Sequence, residues 1–291
     1  LGLHAAKSNI IPNGMTLEKF GPARLRLQER RAQAAGSGEQ PAWRLAYCAR
    51  LVPIKGLIDL VASVSELVQA GVGNFTLDVM GHAEEIPDYA AECYRRASDL
   101  GLDDYICFRG NLNMAEVLGD YDMLILPSYN EGQPLVVMEA MAVGLPIIGT
   151  PVGGMEQLIL SSLDDGTEPA VGPCGLLVRP GDVSGLAAAM RKLMNDAPLY
   201  SFFAENSRSR VAQFFALDKA MTAYRGIYTQ LEDSLTVTPP LVPPQRPPER
   251  ARPLLLRALD RAAAGSVARV NQLSTVDQAG SAIRSATKEK R

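Results

Sequence analysis

Between residues 44 and 178 the chain alternates short aliphatic runs with segments whose apolar residues recur every three or four positions. A strand needs neighbours for its backbone groups, and an amphipathic helix needs a surface for its apolar stripe. Strict alternation satisfies both through repeated β-α-β units, a parallel sheet with helices on its faces. Strands are expected at 44–49, 75–80, 105–108, 123–127, 145–149 and 175–178. Between them, Leu57, Val61, Val64 and Val68 mark one buried helix stripe, and Tyr89, Cys93, Ala97 and Leu100 mark another, ended by Gly101. A short helix is expected near Met114 to Leu118 and a longer one from Pro134 to Val143. The fold class is therefore α/β, a Rossmann-like parallel sheet with flanking helices.

Two more helices are expected at 183–195 and 199–214, and a third carries Leu217, Met221, Tyr224, Tyr228 and Leu231 at heptad spacing. Its apolar residues share one face, which predicts that it docks back on a domain. Residues 41–235 then form the folded domain. Beyond it, TPPLVPPQRPPERARP lacks the hydrogen-bond donors for helix or sheet and reads as an extended linker. Residues 236–291 are this Pro-rich linker and a basic tail, with a short amphipathic helix at 254–263 and the rest disordered. From Arg246 onward ten basic residues face four acidic ones, a net of +6 that leaves −9 for the remainder of a chain of net −3. The tail is either solvated linker or a weak contact for an anionic membrane. The chain opens on Leu1, and LGLHAAKSNIIPNGM reads as a helix end running into a strand and turn. Residues 1–40 are thus expected to be a partial segment and linker from a missing N-terminal domain.

Several function classes are excluded at this point. A net charge of −3 gives no footprint for nucleic acid. Cys48, Cys93, Cys107 and Cys174 lie far apart, and histidine is limited to His4 and His82. That argues against a zinc site or disulfide framework, fits a reducing cytoplasm, and makes the cysteines small buried hydrophobes. No metal or cofactor is expected. No apolar run reaches the roughly 18 residues a membrane span needs, so the body is expected to be soluble. No G-x-G-x-x-G follows the first strand, which weighs against a nicotinamide dehydrogenase.

The stretch SYNEGQPLVVMEAMA carries the chemistry, with seven residues between Glu131 and Glu139 across a strand-loop-helix junction. Gly132 allows close backbone approach, and Pro134 suits a first helical turn. Free N–H groups and the positive end of a helix dipole then face the crevice beyond the strand ends, a place for a diphosphate. The two carboxylates would repel phosphate but match the hydroxyls of ribose and a hexose. CARLVPIKG puts Arg50 and Lys55 just before another helix, as cations able to neutralise a departing nucleoside diphosphate. His82 follows the strand-ending Gly81 as either a loop histidine or a donor contact. Gly153 and Gly154 are either a tight turn before a helix or a phosphate or sugar contact. The bland alternatives are solvated carboxylates and surface cations.

In this order the motifs IIPNGM with Phe20, Arg50 and Lys55, Gly81, FRG at 108–110, PS at 127–128, Glu131 with Glu139, and GTPVGGMEQLI resemble the second domain of GT-B glycosyltransferases of family 4. The resemblance runs from Ile10 to Leu231, and PDYAAEC and GPCGLLV liken the chain to the Pel exopolysaccharide branch. It implies the C-terminal half of a GT-B fold and retaining transfer of a hexosyl group from a nucleotide-diphosphate sugar, UDP in the Pel branch, to a growing glycan. By the same resemblance Arg50 and Lys55 bind the diphosphate, Glu131 contacts the transferred sugar and Glu139 holds the ribose. Backbone groups of Gly132, Gln133, Pro134 and Leu135 meet the phosphates, and Arg109, Gly110 and Asn111 lie beside the base. Ala49, Gln133 and Thr16 stand where the family usually has Gly, an aromatic or Gly, and Asp. Implied partners are the donor, a glycan acceptor and a membrane-embedded polysaccharide synthase complex, with the protein cytoplasmic or peripheral at the inner membrane face. The alternative is a nucleotide-sugar-binding module with no turnover of its own.

Overall fold

The computed structural model describes residues 10–37, 41–160 and 171–235. The Pro-rich linker, the basic tail and the first nine residues lie outside the described residues. Six parallel strands form one sheet: β1 (Trp43–Cys48), β2 (Phe75–Met80), β3 (Ile106–Gly110), β4 (Met123–Leu126), β5 (Ile147–Gly149) and β6 (Gly175–Leu177), in the spatial order β3-β2-β1-β4-β5-β6. The expected α/β class, with its Rossmann-like parallel sheet, is the fold observed. β4, Met-Leu-Ile-Leu, is buried at every position because both faces of a central parallel strand are covered. β3 sits at the sheet edge, and from Cys107 onward its residues are half-buried or exposed. Cys107 is thus exposed where a buried cysteine was expected; Cys93 and Cys174 are buried and Cys48 partly so.

The helices are α1 (Gly21–Ser37), α2 (Leu57–Gln69), α3 (Pro87–Asp99), α4 (Met114–Val117), α5 (Leu135–Val143), α6 (Met155–Ile159), α7 (Val183–Asn195), α8 (Ala197–Phe214) and α9 (Leu217–Leu235). α2 packs between α3 and α7, while α1 and α8 flank α5. The stripe predicted on α2 is real: Leu57, Val61 and Val64 are fully buried.

Two expectations are corrected. Residues 21–37, placed in a linker from another domain, form α1, and Phe20, Ala23 and Leu27 enter the core. The helix was hidden because its buried stripe is short and interrupted by arginines. One of these, Arg30, reaches Asp122 Oδ1 at 2.7 Å and the Tyr121 carbonyl at 2.9 Å, and Asp122 Oδ2 also accepts the Arg44 N–H at 2.8 Å. α1 is thereby pinned to the starts of β1 and β4. The second correction concerns α9, whose apolar seam stays largely exposed instead of being buried against the domain. Leu217, Met221, Tyr224 and Tyr228 are 42–66% exposed, and among the described side chains of α9 only Ala220 is buried. Backbone bonds between Met15 and the Phe215–Leu217 segment hold the start of α9 instead.

The chain divides into a unit ending at Gln230 and a second unit from Leu231, of which only the end of α9 is described. Among the described residues no helix is long and apolar enough to cross a membrane.

Candidate functional site

From β1 the chain builds outward through β2 to β3, then returns to lay β4 on the other side of β1. The connections after β1 and β4 therefore diverge, and a crevice opens beyond their carboxyl ends. A cleft of about 590 Å³ occupies this place. Its wall includes Cys48, Ala49 and Arg50 after β1, Gly81 and His82 after β2, Asn111 after β3, and Glu131, Pro134, Leu135 and Glu139 after β4. Residues that lie far apart in the sequence, from Cys48 to Glu139, thus line one cleft.

Lys55 closes a 3-10 turn, Pro53–Lys55. The next residue must be glycine: Gly56 has φ +67°, and a Cβ there would lie 2.1 Å from the Pro127 carbonyl oxygen. This close approach, with the Tyr129 N–H donating to the Ile54 carbonyl at 2.8 Å, lays the turn against the loop after β4. Lys55 Nζ consequently meets Glu131 Oε1 at 2.7 Å, with side chains only 15% and 6% exposed. Ser128 Oγ donates to the same oxygen at 2.7 Å, and the Ser128 carbonyl accepts from the Thr150 hydroxyl. Both hydroxyl residues are buried. The motifs pointed to Ser128 and Thr150 only as landmarks, in PS and GTPVGGMEQLI, since small hydroxyl residues leave no periodic signal.

Arg50 Nη1 pairs with Glu85 Oε1 at 2.7 Å at the cleft mouth, and His82 Nδ1 lies 3.4 Å from Glu84 Oε2. Neither acidic partner was singled out from sequence. Pro134 is the N-cap of α5 rather than its first residue, with ψ +119°. Val137 N–H donates to the Pro134 carbonyl, while no described backbone carbonyl accepts from Leu135 or Val136. Those N–H groups and the helix dipole make an anion-favouring end to the cleft.

Glu139 stands in the second turn of α5, and no described residue hydrogen-bonds its carboxylate. Burial raises its pKa, opposed by the charge of Lys19. Beside it, burial and then the Glu139 charge push the Cys48 thiol up to about 12, so it stays protonated at neutral pH. A raised carboxyl pKa means that Glu139 favours the fold at low pH and that this contribution is lost as pH rises through its folded-state value. Glu139→Gln is therefore expected to unfold at a higher temperature than the parent at pH 8, the gap closing as pH falls toward the ordinary carboxylate range. Thermal melts over pH 4 to 8 check this; a gap that widens on acidification overturns it.

Four of the expected site residues stand outside the cleft wall. Gln133 turns to accept the Asn13 N–H at 2.6 Å. Gly132 is exposed, and its carbonyl accepts the Gly154 N–H from the loop after β5 at 2.6 Å. Gly153, at φ +53°, would put a Cβ 1.7 Å from the Glu131 carbonyl oxygen, and one at Gly154 would lie 2.7 Å from that of Gly132, so the glycine pair lets this turn lie against the loop after β4. Arg109 Nε pairs with Asp78 Oδ2 at 3.2 Å, an oxygen that also accepts the Tyr121 hydroxyl at 2.8 Å. Gly110 accepts the Gly81 N–H at 2.8 Å and so ties the two strand ends together. Among the described residues no three His, Cys, Asp or Glu side chains converge as a metal cluster.

Residues 42–196 match the family described as glycosyl transferases group 1. N-acetyl-alpha-D-glucosaminyl L-malate synthase of Bacillus anthracis is 34% identical over 131 residues, covering 45% of this chain and 32% of that protein. D-inositol 3-phosphate glycosyltransferase of Stackebrandtia nassauensis is 30% identical over 215 residues, covering 72% and 45%. The chain thus spans about a third to a half of the length of these relatives. In fold it is similar to Anabaena HepE, crystallised with UDP and glucose, with a TM-score of 0.61 and 20% identity over 81% of this chain and 59% of that one. The family match covers more than half of the chain and spans all six strands together with the whole cleft, and on that ground the chain belongs to the glycosyl transferases group 1 family.

Proposed function

We propose that this chain is the donor-binding part of a retaining glycosyltransferase that takes a hexosyl group from a UDP-sugar and passes it to a growing glycan in exopolysaccharide synthesis. The observation that carries the reading is the convergence of Arg50, Lys55 and the N-terminus of α5 on one cleft with Glu131 and Glu139. The cations and helix end suit a diphosphate, and the carboxylates suit ribose and sugar hydroxyls. The capture of UDP and glucose by HepE, a protein of the same fold, supports a uridine nucleotide.

In this reading the bond between the sugar C1 and the diphosphate oxygen breaks as the acceptor hydroxyl approaches from the same face. The sugar becomes oxocarbenium-like while the diphosphate takes the bonding pair; the acceptor oxygen then bonds C1 and its proton passes to the departing diphosphate oxygen, whose charge Arg50, Lys55 and the α5 dipole stabilise. Glu131 orients the sugar and Glu139 the ribose, so the chain contributes positioning and electrostatics rather than a nucleophile. The substrate is the nucleotide sugar itself, with no metal or other cofactor. PDYAAEC and GPCGLLV support the Pel branch, and with it work on the cytoplasmic side of a membrane-embedded synthase complex.

Calorimetric titration with UDP, GDP and ADP tests the donor site. UDP alone is expected to bind, more weakly to Glu139→Ala and to the Arg50→Ala/Lys55→Ala pair. If no nucleotide binds, or the variants bind as well as the parent, the cleft is not the donor site.

A further inference from the structure

The loop after β2 reads Gly-His-Ala-Glu-Glu-Ile, so two consecutive carboxylates border a cleft suited to an anion. Glu85 does more than border it. Both of its carboxylate oxygens contact Arg50 Nη1, at 2.7 Å for Oε1, and so neutralise one edge of the guanidinium that the donor's phosphates would use. The two side chains are 53% and 47% exposed, so water and a ligand can reach the pair and exchange for either partner.

Backbone contacts keep this carboxylate close to Arg50 whether or not it is bound. The Ala49 N–H donates to the Met80 carbonyl at 3.0 Å and the Leu51 N–H to the His82 carbonyl at 2.8 Å, fastening the base of the loop to both sides of Arg50. Two residues after Glu85, Pro87 begins α3, which the Tyr89 hydroxyl ties to the Ile58 N–H at the start of α2. The loop is therefore short and held at both ends. A carboxylate so tethered competes at high effective concentration, which a free anion in solution would not reach.

Resting on the donor-site reading above, we propose that Glu85 is an internal competitor for the diphosphate. It holds Arg50 in the nucleotide-free chain, is displaced when a nucleoside diphosphate enters, and re-forms its pair as the nucleotide leaves. Its effect is to weaken nucleotide binding and favour release. Lys55 is also paired with a carboxylate, but Glu131 is nearly buried and belongs to the same floor of the cleft, whereas Glu85 stands half-exposed on a surface loop.

Exposed ion pairs are weak, so removing the competitor should tighten UDP binding by about two- to five-fold. The test is calorimetric titration of the full chain with UDP for the parent, Glu85→Gln, Glu85→Ala, Arg50→Ala and the Arg50→Ala/Glu85→Gln pair. Both Glu85 variants, on a half-exposed loop, should bind more tightly than the parent at low salt. The gain should fade as salt screens the charges and vanish without Arg50. Unchanged or weaker binding by both variants, or an equal gain in the absence of Arg50, overturns the proposal while leaving the donor site intact. Failure of the parent and all variants to bind UDP overturns the donor site and this proposal with it.

Discussion

Lys55→Ala is expected to weaken binding of UDP and UDP-sugars by about 10- to 100-fold, the equivalent of one charge-assisted hydrogen bond. Two effects add. The phosphate loses a cation 2.7 Å from Glu131, and Glu131, 6% exposed, is left with a hydroxyl from Ser128 and no counter-ion. An orphaned carboxylate at the floor of an anion site repels the ligand and strains the fold together. Adding Glu131→Gln to Lys55→Ala removes the second effect and keeps the first. The double variant should therefore recover thermal stability and part of the lost UDP affinity, while binding of the sugar conjugate stays impaired. Calorimetry on the three proteins with UDP and UDP-glucose separates the terms. Binding of UDP by Lys55→Ala within two-fold of the parent would remove Lys55 from the phosphate site.

The same pair illustrates what sequence alone discloses. Lys55 and Glu131 were each recognisable, because Gly56 and Gly132 and the adjoining strand ends put them in loops at the carboxyl edge of a parallel sheet. Their mutual contact was not, since it depends on the Tyr129 to Ile54 backbone bond between segments far apart in sequence. β4 was legible because a central parallel strand is apolar at every position, and α2 because its stripe is unbroken. α1 was missed because Leu25 is exposed while Arg30 is drawn inward to Asp122, which blurs the periodicity. Cys107 and the α9 seam failed for one reason: a residue's chemistry predicts that it prefers burial, but only the placement of its element decides whether a partner is there. The acidic residues Glu84 and Glu85 escaped notice because charges in a loop after a strand are ordinary, and their meaning lies in the cations they face.

Arg210→Leu should destabilise the chain by about 3 kcal/mol, because one buried and three part-buried carbonyls lose their donor at once. Arg210 lies in α8, is wholly buried, and sends Nε to the Leu158 carbonyl and Nη2 to that of Gln157, each at 2.8 Å. Nη1 reaches the Val171 and Gly172 carbonyls at 3.3 Å. The first pair belongs to α6, whose last carbonyls have no partner within the helix, and the second to the segment leading into β6. Burial lowers the Arg210 pKa, with Cys174 opposing, and these converging carbonyl dipoles are what make a buried guanidinium tolerable. A loss of this size should lower the melting temperature by about 10 °C, and Arg210→Lys, with one donor head in place of a fork, should fall between. Arg191→Leu, at an exposed position of α7, should stay within about 0.5 kcal/mol of the parent. The damage should also reach the donor cleft indirectly. α6 starts at the loop whose Gly154 N–H braces the Gly132 carbonyl, so loosening its far end should weaken UDP binding less than Lys55→Ala does, and saturating UDP should restore part of the lost melting temperature. A melting point for Arg210→Leu within 2 °C of the parent would mean that the carbonyls find other donors and that α6 does not depend on this arginine.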